Sequence, residues 1–162
     1  MHDSYVSADS KIGGYTYVGN RVAITRSEIG RYVSIADNVT IGAGEHLIEG
    51  ISTSAVFYKN PYEILTQGSC CVGNDVWIGV DSIIQRGISV GDGAIIGANS
   101  TVTHNVPDFA IVVGSPARIL RYRFSETKID LIRRSLWWSL EFEEASKVIS
   151  ELEAKCVLDK IN

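Results

Sequence analysis

The chain has 162 residues, 45% hydrophobic and 21% charged, with a formal net charge of −4. That suffices for one globular domain and an appendage. The acidic balance argues against a general nucleic-acid binder, and no run approaches the ~20 apolar residues of a membrane-inserted helix.

The opening residues, MHDSYVSADS, lack the basic and apolar regions of a secretory signal, so cytoplasmic residence is the expectation. A repeat then begins. Val6, Ile12, Val18 and Ile24 stand six apart; one residue is missing, and Ile29, Ile35 and Ile41 resume the count. The slip between Thr25 and Glu28 predicts a tightened corner. A period of six is neither the helical 3.6 nor the strand alternation of two. It fits a parallel β-helix, where a short strand turns one aliphatic residue inward and a tight turn leads to the next strand. Three such faces use about 18 residues per coil, and coils stack roughly 4.8 Å apart. Residues 6–42 thus predict about two coils.

Residues 43–71 break the pattern. A 29-residue excursion is too long for a casual turn. Its aromatics, Phe57, Tyr58 and Tyr62, with Pro61, predict an ordered arm that packs on something, a neighbouring subunit among the candidates.

The repeat returns without a slip at Val72, Ile78, Ile84, Val90, Ile96 and Val102. Four places after each come Val76, Ser82, Ile88, Ala94, Ser100 and Val106, all small or β-branched. Gly73, Gly79, Gly91 and Gly97 are expected to supply positive φ in the turns, with Asn74, Asp92 and Asn99 tolerating it. These are two further coils. Each hides its aliphatic stripe only against its neighbours, so the ends need covers.

After Pro107, residues 111–113 and 119–120 read as closing strands around a turn at Gly114 and Pro116. Arg118, Arg121 and Arg123 are expected on one face of that extended segment. The rest is helical. Ser125 is a candidate N-cap, Ile129, Ile132 and Leu136 give one apolar face, and Trp137–Trp138 mark a junction. Phe142, Ala145, Ile149, Leu152 and Cys156 form a second stripe. These helices are expected to cover the open end of the solenoid. The division is then a β-helix domain over 1–123, with its insertion, and a helical extension over 124–162.

Three cysteines, two of them adjacent, are a poor disulfide framework, and no Cys-x-x-Cys pair suggests structural zinc. Small buried hydrophobes are the simpler reading, with a Cys70 nucleophile as the other. Of the three histidines, His2 stands at the terminus and His104 on an outward turn. His46 lies in the insertion, where a rigid scaffold commonly carries chemistry. From spacing alone it reads equally as a general base or a surface histidine. The arginines read as a phosphate-binding fork or as partners of helix glutamates such as Glu141, Glu143 and Glu144. No Walker loop, nucleophile elbow or Rossmann glycine pattern is present. A prism has no deep pocket, so a site here implies an oligomer.

The segments IGRYVSIADNVTIGAGEH, STSAVFY, GNDVWIG, VVGSPARILRYRF and FSETKIDLIRRSLWW carry a resemblance. It is to the hexapeptide acyltransferases, whose fold is a left-handed parallel β-helix. Within them the chain is most similar to the xenobiotic (chloramphenicol and streptogramin) acetyltransferases and related sugar O-acetyltransferases. The resemblance implies acetyl-CoA-dependent transfer to a hydroxyl group, without a metal, in a homotrimer with sites between subunits. It makes His46 the general base. Trp77 resembles the residue near the base and the pantetheine arm. Ala98 and Thr103 look like positions whose backbone lines the CoA channel, and Val80 matches another. Arg118 and Arg121 look like the pair near the CoA phosphates. Two places differ. His104 stands where sugar acetyltransferases often have lysine, and Leu47, Ile48 and Glu49 follow the histidine where the xenobiotic branch has basic and aromatic residues.

The implied mechanism is direct transfer. His46 takes the proton from the acceptor hydroxyl, a backbone N–H steadies the oxyanion, and His46 returns a proton to the leaving thiolate. A hydroxyl of a sugar or polysaccharide precursor is the expected acceptor, with a small drug second. Two further readings are a γ-class carbonic anhydrase, needing three histidines on zinc, and a non-enzymatic scaffold that binds no CoA.

Overall fold

The computed structural model describes residues 3–158, with side chains as far as Lys155. Three sheets form three faces. The first holds β1 (Tyr5–Val6), β4 (Ala23–Ile24), β7 (Thr40–Ile41), β10 (Ile83–Ile84) and β13 (Thr101–Val102). The second holds β2 (Lys11–Ile12), β5 (Ser27–Ile29), β8 (Cys70–Val72) and β11 (Ser89–Val90). The third holds β3 (Tyr17–Val18), β6 (Ser34–Ile35), β9 (Trp77–Ile78), β12 (Ile95–Ile96), β14 (Ala110–Val113) and β15 (Arg118–Tyr122). Through β13 the chain visits the faces in turn, and strands of one face pair in parallel; among the described residues only β15 runs antiparallel, to β14.

The period of six puts like on like. Ile24 is in register with Ile41, Ile41 with Ile84, and Ile84 with Val102. Ile24, Ile35, Ile41, Ile78, Ile84 and Ile96 are fully buried. Val22, Val33, Val39, Val76 and Ala94 join them in one core. Two-residue strands are too short to stand alone, so the ladder to the next rung holds each in place. In the first rung Ile12 remains exposed, while Ala117 packs on the core near the last.

The glycines act differently from expectation. Gly73 and Gly79 do not take positive φ. They allow close approach: a Cβ on Gly79 would sit 2.6 Å from the amide nitrogen of Ala98, and one on Gly73 2.8 Å from that of Asp92. Asn99 is left-handed as expected. Asn74 and Asp92 are not, and bond the neighbouring corner instead. Asn74 accepts the Arg31 N–H at 2.9 Å, and Asp92 accepts the Asn74 N–H at 2.6 Å.

The missing residue does tighten a corner. Only Thr25 and Arg26 separate β4 from β5, and Arg26 has positive φ. One rung later the insertion leaves this same corner, between β7 and β8, so it interrupts a coil rather than separating two blocks. Cys70 and Cys71, at its expected end, are already strand. Cys70 is buried and donates its S–H to the Gln85 carbonyl, whereas Cys71 faces outward. Within the insertion lie a 3-10 turn (Ala55–Phe57) and α1 (Pro61–Leu65). Tyr62 Oη lies 2.9 and 3.0 Å from the two oxygens of Asp9, and Arg26 pairs with Glu63 at 2.7 Å. The return half of the arm thus folds back on the coil's own corners, while Ile48, Ile51, Val56 and Phe57 stay exposed.

Ser125 caps α2 (Glu126–Ser135) through the Lys128 N–H, and Trp137 begins a 3-10 turn before α3 (Phe142–Leu158). These helices do not sit over an end of the coil. They lie along its corner between the second and third faces. The left-handed places there fall to Tyr15, Tyr32, Asp75, Gly93 and Phe109, so aromatic side chains project outward. Tyr15 stacks on Tyr32 with centroids 4.8 Å apart, Tyr32 meets Trp137 at 5.1 Å, and Phe109 packs with Ile129, Trp138 and Ala145. Arg31 adds bonds to the Trp138 and Leu140 carbonyls and pairs with Glu141 at 2.8 Å. Of the second stripe, Ala145 is buried, Ile149 and Leu152 half-buried and Phe142 exposed; the side chain of Cys156 lies outside the described residues.

Candidate active site

His46 is the fifth residue after β7. Gly42, with positive φ, turns the chain out of the sheet, and the Glu45 N–H bonds the Leu65 carbonyl at 2.8 Å. The arm then curls so that Nδ1 of His46 lies 2.6 Å from the Thr53 carbonyl oxygen. A carbonyl only accepts, so Nδ1 carries a proton, and in the neutral ring Nε2 presents a lone pair. Tyr58 locks the curl. Its hydroxyl donates to the same Thr53 oxygen at 3.1 Å and accepts the Leu47 N–H at 2.9 Å. The imidazole itself is exposed. Thr53 and Tyr58 escaped sequence reasoning as orienting groups, because a carbonyl bond across seven residues leaves no mark in the residue pattern.

Trp77 projects from β9, with Ile95 and Ile111 beside it on the outer surface of the third face. Val80 and Ala98 follow on successive rungs of the next corner, where the Asn99 N–H bonds the Val80 carbonyl at 2.9 Å. All three side chains are exposed. They form a column at the edge where β10 and β13 begin. His46 stands beyond the other edge of that first face, where β7 ends. One chain therefore does not bring His46 together with Trp77, Val80 and Ala98.

Thr103 and His104 share His46's corner, on the last rung. Thr103 Oγ1 is 2.8 Å from Nδ1 of His104, and His104, Asn105, Arg118 and Ile119 line a shallow groove of about 360 Å³. Arg118 and Arg121 are three apart and would oppose each other in a regular strand. An irregularity in the β14–β15 ladder places them opposite Val113 and Ile111, which share a face, so the two guanidiniums share it too. Neither pairs with a carboxylate among the described residues; each bonds a nearby backbone carbonyl. Arg123 does not join them. It turns inward to Asp75 at 2.9 Å and to the Gly93 carbonyl at 2.7 Å. Burial raises the Asp75 carboxyl above its usual range, and Arg123 opposes the shift.

Among the described residues no group of three His, Cys, Asp or Glu side chains could hold a metal ion. None of the described helices is long and apolar enough to cross a membrane.

An outer column of exposed residues along stacked parallel rungs, with a histidine-bearing arm, defines the class of hexapeptide-repeat transferases. The family model described as hexapeptide repeat of succinyl-transferase matches residues 71–104. A probable macrolide acetyltransferase from Lysinibacillus sphaericus is 32% identical over 91% of this chain and 85% of its own. A chloramphenicol acetyltransferase from Agrobacterium fabrum is 40% identical over 70% of this chain and 59% of its own. The crystal structure of a hexapeptide-repeat acetyltransferase from Vibrio cholerae superposes with a TM-score of 0.59 at 26% identity, covering 76% of this chain and 73% of that one. The chain belongs to the hexapeptide-repeat acetyltransferases, in the branch that holds the chloramphenicol and macrolide enzymes. It is an acyltransferase, which sets aside the scaffold reading.

Proposed function

We propose that the chain is an acetyl-CoA-dependent O-acetyltransferase acting on a hydroxyl of a sugar or polysaccharide precursor, with His46 as general base. The coil is read as a left-handed parallel β-helix that assembles as a homotrimer. The observation that carries this reading is the Thr53 carbonyl on Nδ1 of His46, which leaves Nε2 free to take a proton. His46 removes the acceptor proton as the oxygen attacks the thioester carbonyl. A backbone N–H of the neighbouring rungs steadies the developing charge, and His46 then protonates the departing thiolate. Holding both substrates in one cleft supplies much of the acceleration.

Acetyltransferases of this family draw the acetyl group from acetyl-CoA. Here Trp77, Val80 and Ala98 line the pantetheine path, with Thr103 beyond it, and Arg118 and Arg121 take the phosphates. Their shared face suits a multiply charged anion. Because His46 and the Trp77 column stand at opposite edges of one face, the working site takes the imidazole from one chain and the column from the next. The exposed Ile48, Ile51, Val56 and Phe57 of the arm are then the contacts made on the neighbour.

A drug hydroxyl is the second reading, favoured by the chloramphenicol and macrolide names of the relatives. Consumption of acetyl-CoA over a panel of sugars, glycan precursors and antibiotics decides between them. Turnover with sugars alone supports the first, turnover with antibiotics alone the second, and no turnover with any hydroxyl acceptor contradicts both.

A further inference from the structure

Arg86 follows Ile84 by two places, where other coils carry outward corner residues such as Val80 or His104. Yet it is only 8% exposed. The root of the insertion covers it. A Cβ on Gly42, where the arm leaves, would lie 3.1 Å from Arg86 Cζ. Nη1 donates to the carbonyl of Gly68, where the arm returns, and to that of Arg26 on the tightened corner, both at 3.2 Å. Gly42 and Gly68 both have positive φ, so each end of the arm is a point at which the backbone can pivot. One guanidinium lies beside the first and bonds the second.

The placement is costly. Nε and Nη2 are buried without a hydrogen-bond partner, and no carboxylate pairs with Arg86 among the described residues. An unpaired buried charge is disfavoured, and an apolar side chain of similar size would fill the space without that cost. Filling space therefore does not account for an arginine here. What an apolar residue cannot supply is a charge-assisted bond to the returning strand and the corner beneath it. Apart from the Gly42 N–H bond to the Ile84 carbonyl where the arm leaves, the bonds that tie the arm to the coil among the described residues, Tyr62 to Asp9 and Arg26 to Glu63 and Thr66, lie on its return half. The exit half, with His46, is held to that half by the Glu45–Leu65 backbone bond and by the Tyr58 knot.

We propose that Arg86 is a positioning residue: it pins the root of the insertion, and so fixes where His46 stands relative to the coil. The proposal rests on the reading of His46 as the base. It is tested on the full chain with Arg86→Met and Arg86→Lys, by hydrogen exchange and steady-state kinetics, beside His46→Ala. In Arg86→Met, exchange across residues 43–69 should quicken about tenfold while β9 to β12 keep their protection. Its kcat should fall about tenfold to a hundredfold with the KM for acetyl-CoA little changed, as expected when a reacting group is displaced by about an ångström. Arg86→Lys, which can still donate to the Gly68 carbonyl, should recover part of kcat. Unchanged exchange in the arm overturns the pin, as does loss of protection along the whole coil. A loosened arm with undiminished kcat overturns the positioning role while an inactive His46→Ala leaves the base intact. If His46→Ala keeps full turnover, the reading of the base falls, and with it the positioning role; the exchange data still decide whether Arg86 pins the arm.

Discussion

The Thr53 carbonyl oxygen meets Nδ1 of His46 at 2.6 Å, and the Tyr58 hydroxyl meets the same oxygen. One acceptor thus sets both the tautomer and the tilt of the imidazole. Replacing His46 by alanine should lower kcat by about 10²- to 10⁴-fold, the usual yield of a general base, with acetyl-CoA affinity kept. Steady-state rates and calorimetric titration check the two parts separately.

Tyr58→Phe removes the bonds to Thr53 and to the Leu47 N–H but keeps the ring. With roughly 0.5 kcal/mol for each of these two exposed hydrogen bonds, about 1 kcal/mol together, kcat should drop about fivefold. The pH–rate profile should keep its shape, because the imidazole remains.

The core is tested at Ile41, buried between Ile24 and Ile84. Ile41→Ala should cost about 2–5 kcal/mol by denaturant unfolding. Gly79→Ala should also destabilise, by about 1–3 kcal/mol, since its Cβ would strike the Ala98 backbone. A harmless alanine at Gly79 would contradict the close-approach account of these glycines.

Much of this was legible in the sequence. Strict spacing from Val72 to Val102 marks the inward positions, because a rung that slips by one residue turns its core residue outward. The missing residue near Thr25 marks the tightened corner for the same reason. Three things were hidden. Spacing cannot separate a glycine needed for positive φ from one needed for room, since both recur at corners. It does not reveal that Tyr15, Tyr32 and Phe109 line up over rungs far apart in sequence and draw the helices to a flank rather than an end. Nor does it show that Arg123 is spent on Asp75 while a strand irregularity brings Arg118 and Arg121 together. Of the candidate site, His46, Trp77, Val80 and Ala98 could be proposed from motifs, but not that they fall on two edges of one face.

The Glu141 carboxyl is held below its usual range, first by the Tyr15 hydroxyl and then by Arg31. A depressed folded value means its stabilisation is present above the ordinary glutamate range and fades as the pH falls through the folded value. Glu141→Gln should therefore lower Tm at neutral pH, and the gap to the parent chain should narrow at acid pH, below the ordinary glutamate range. A gap that is the same at both pH values would contradict this.

The most direct test mixes two disabled chains. His46→Ala removes the imidazole, and Ala98→Trp fills the column on the far edge of the face. Each should be inactive alone. Refolded together at equal amounts, about a quarter of the interfaces in a random ring join an intact His46 to an intact Ala98. Turnover near that fraction of the parent value is the predicted result. A mixture that forms hybrid assemblies yet stays as inactive as its components would show that the site lies within one chain.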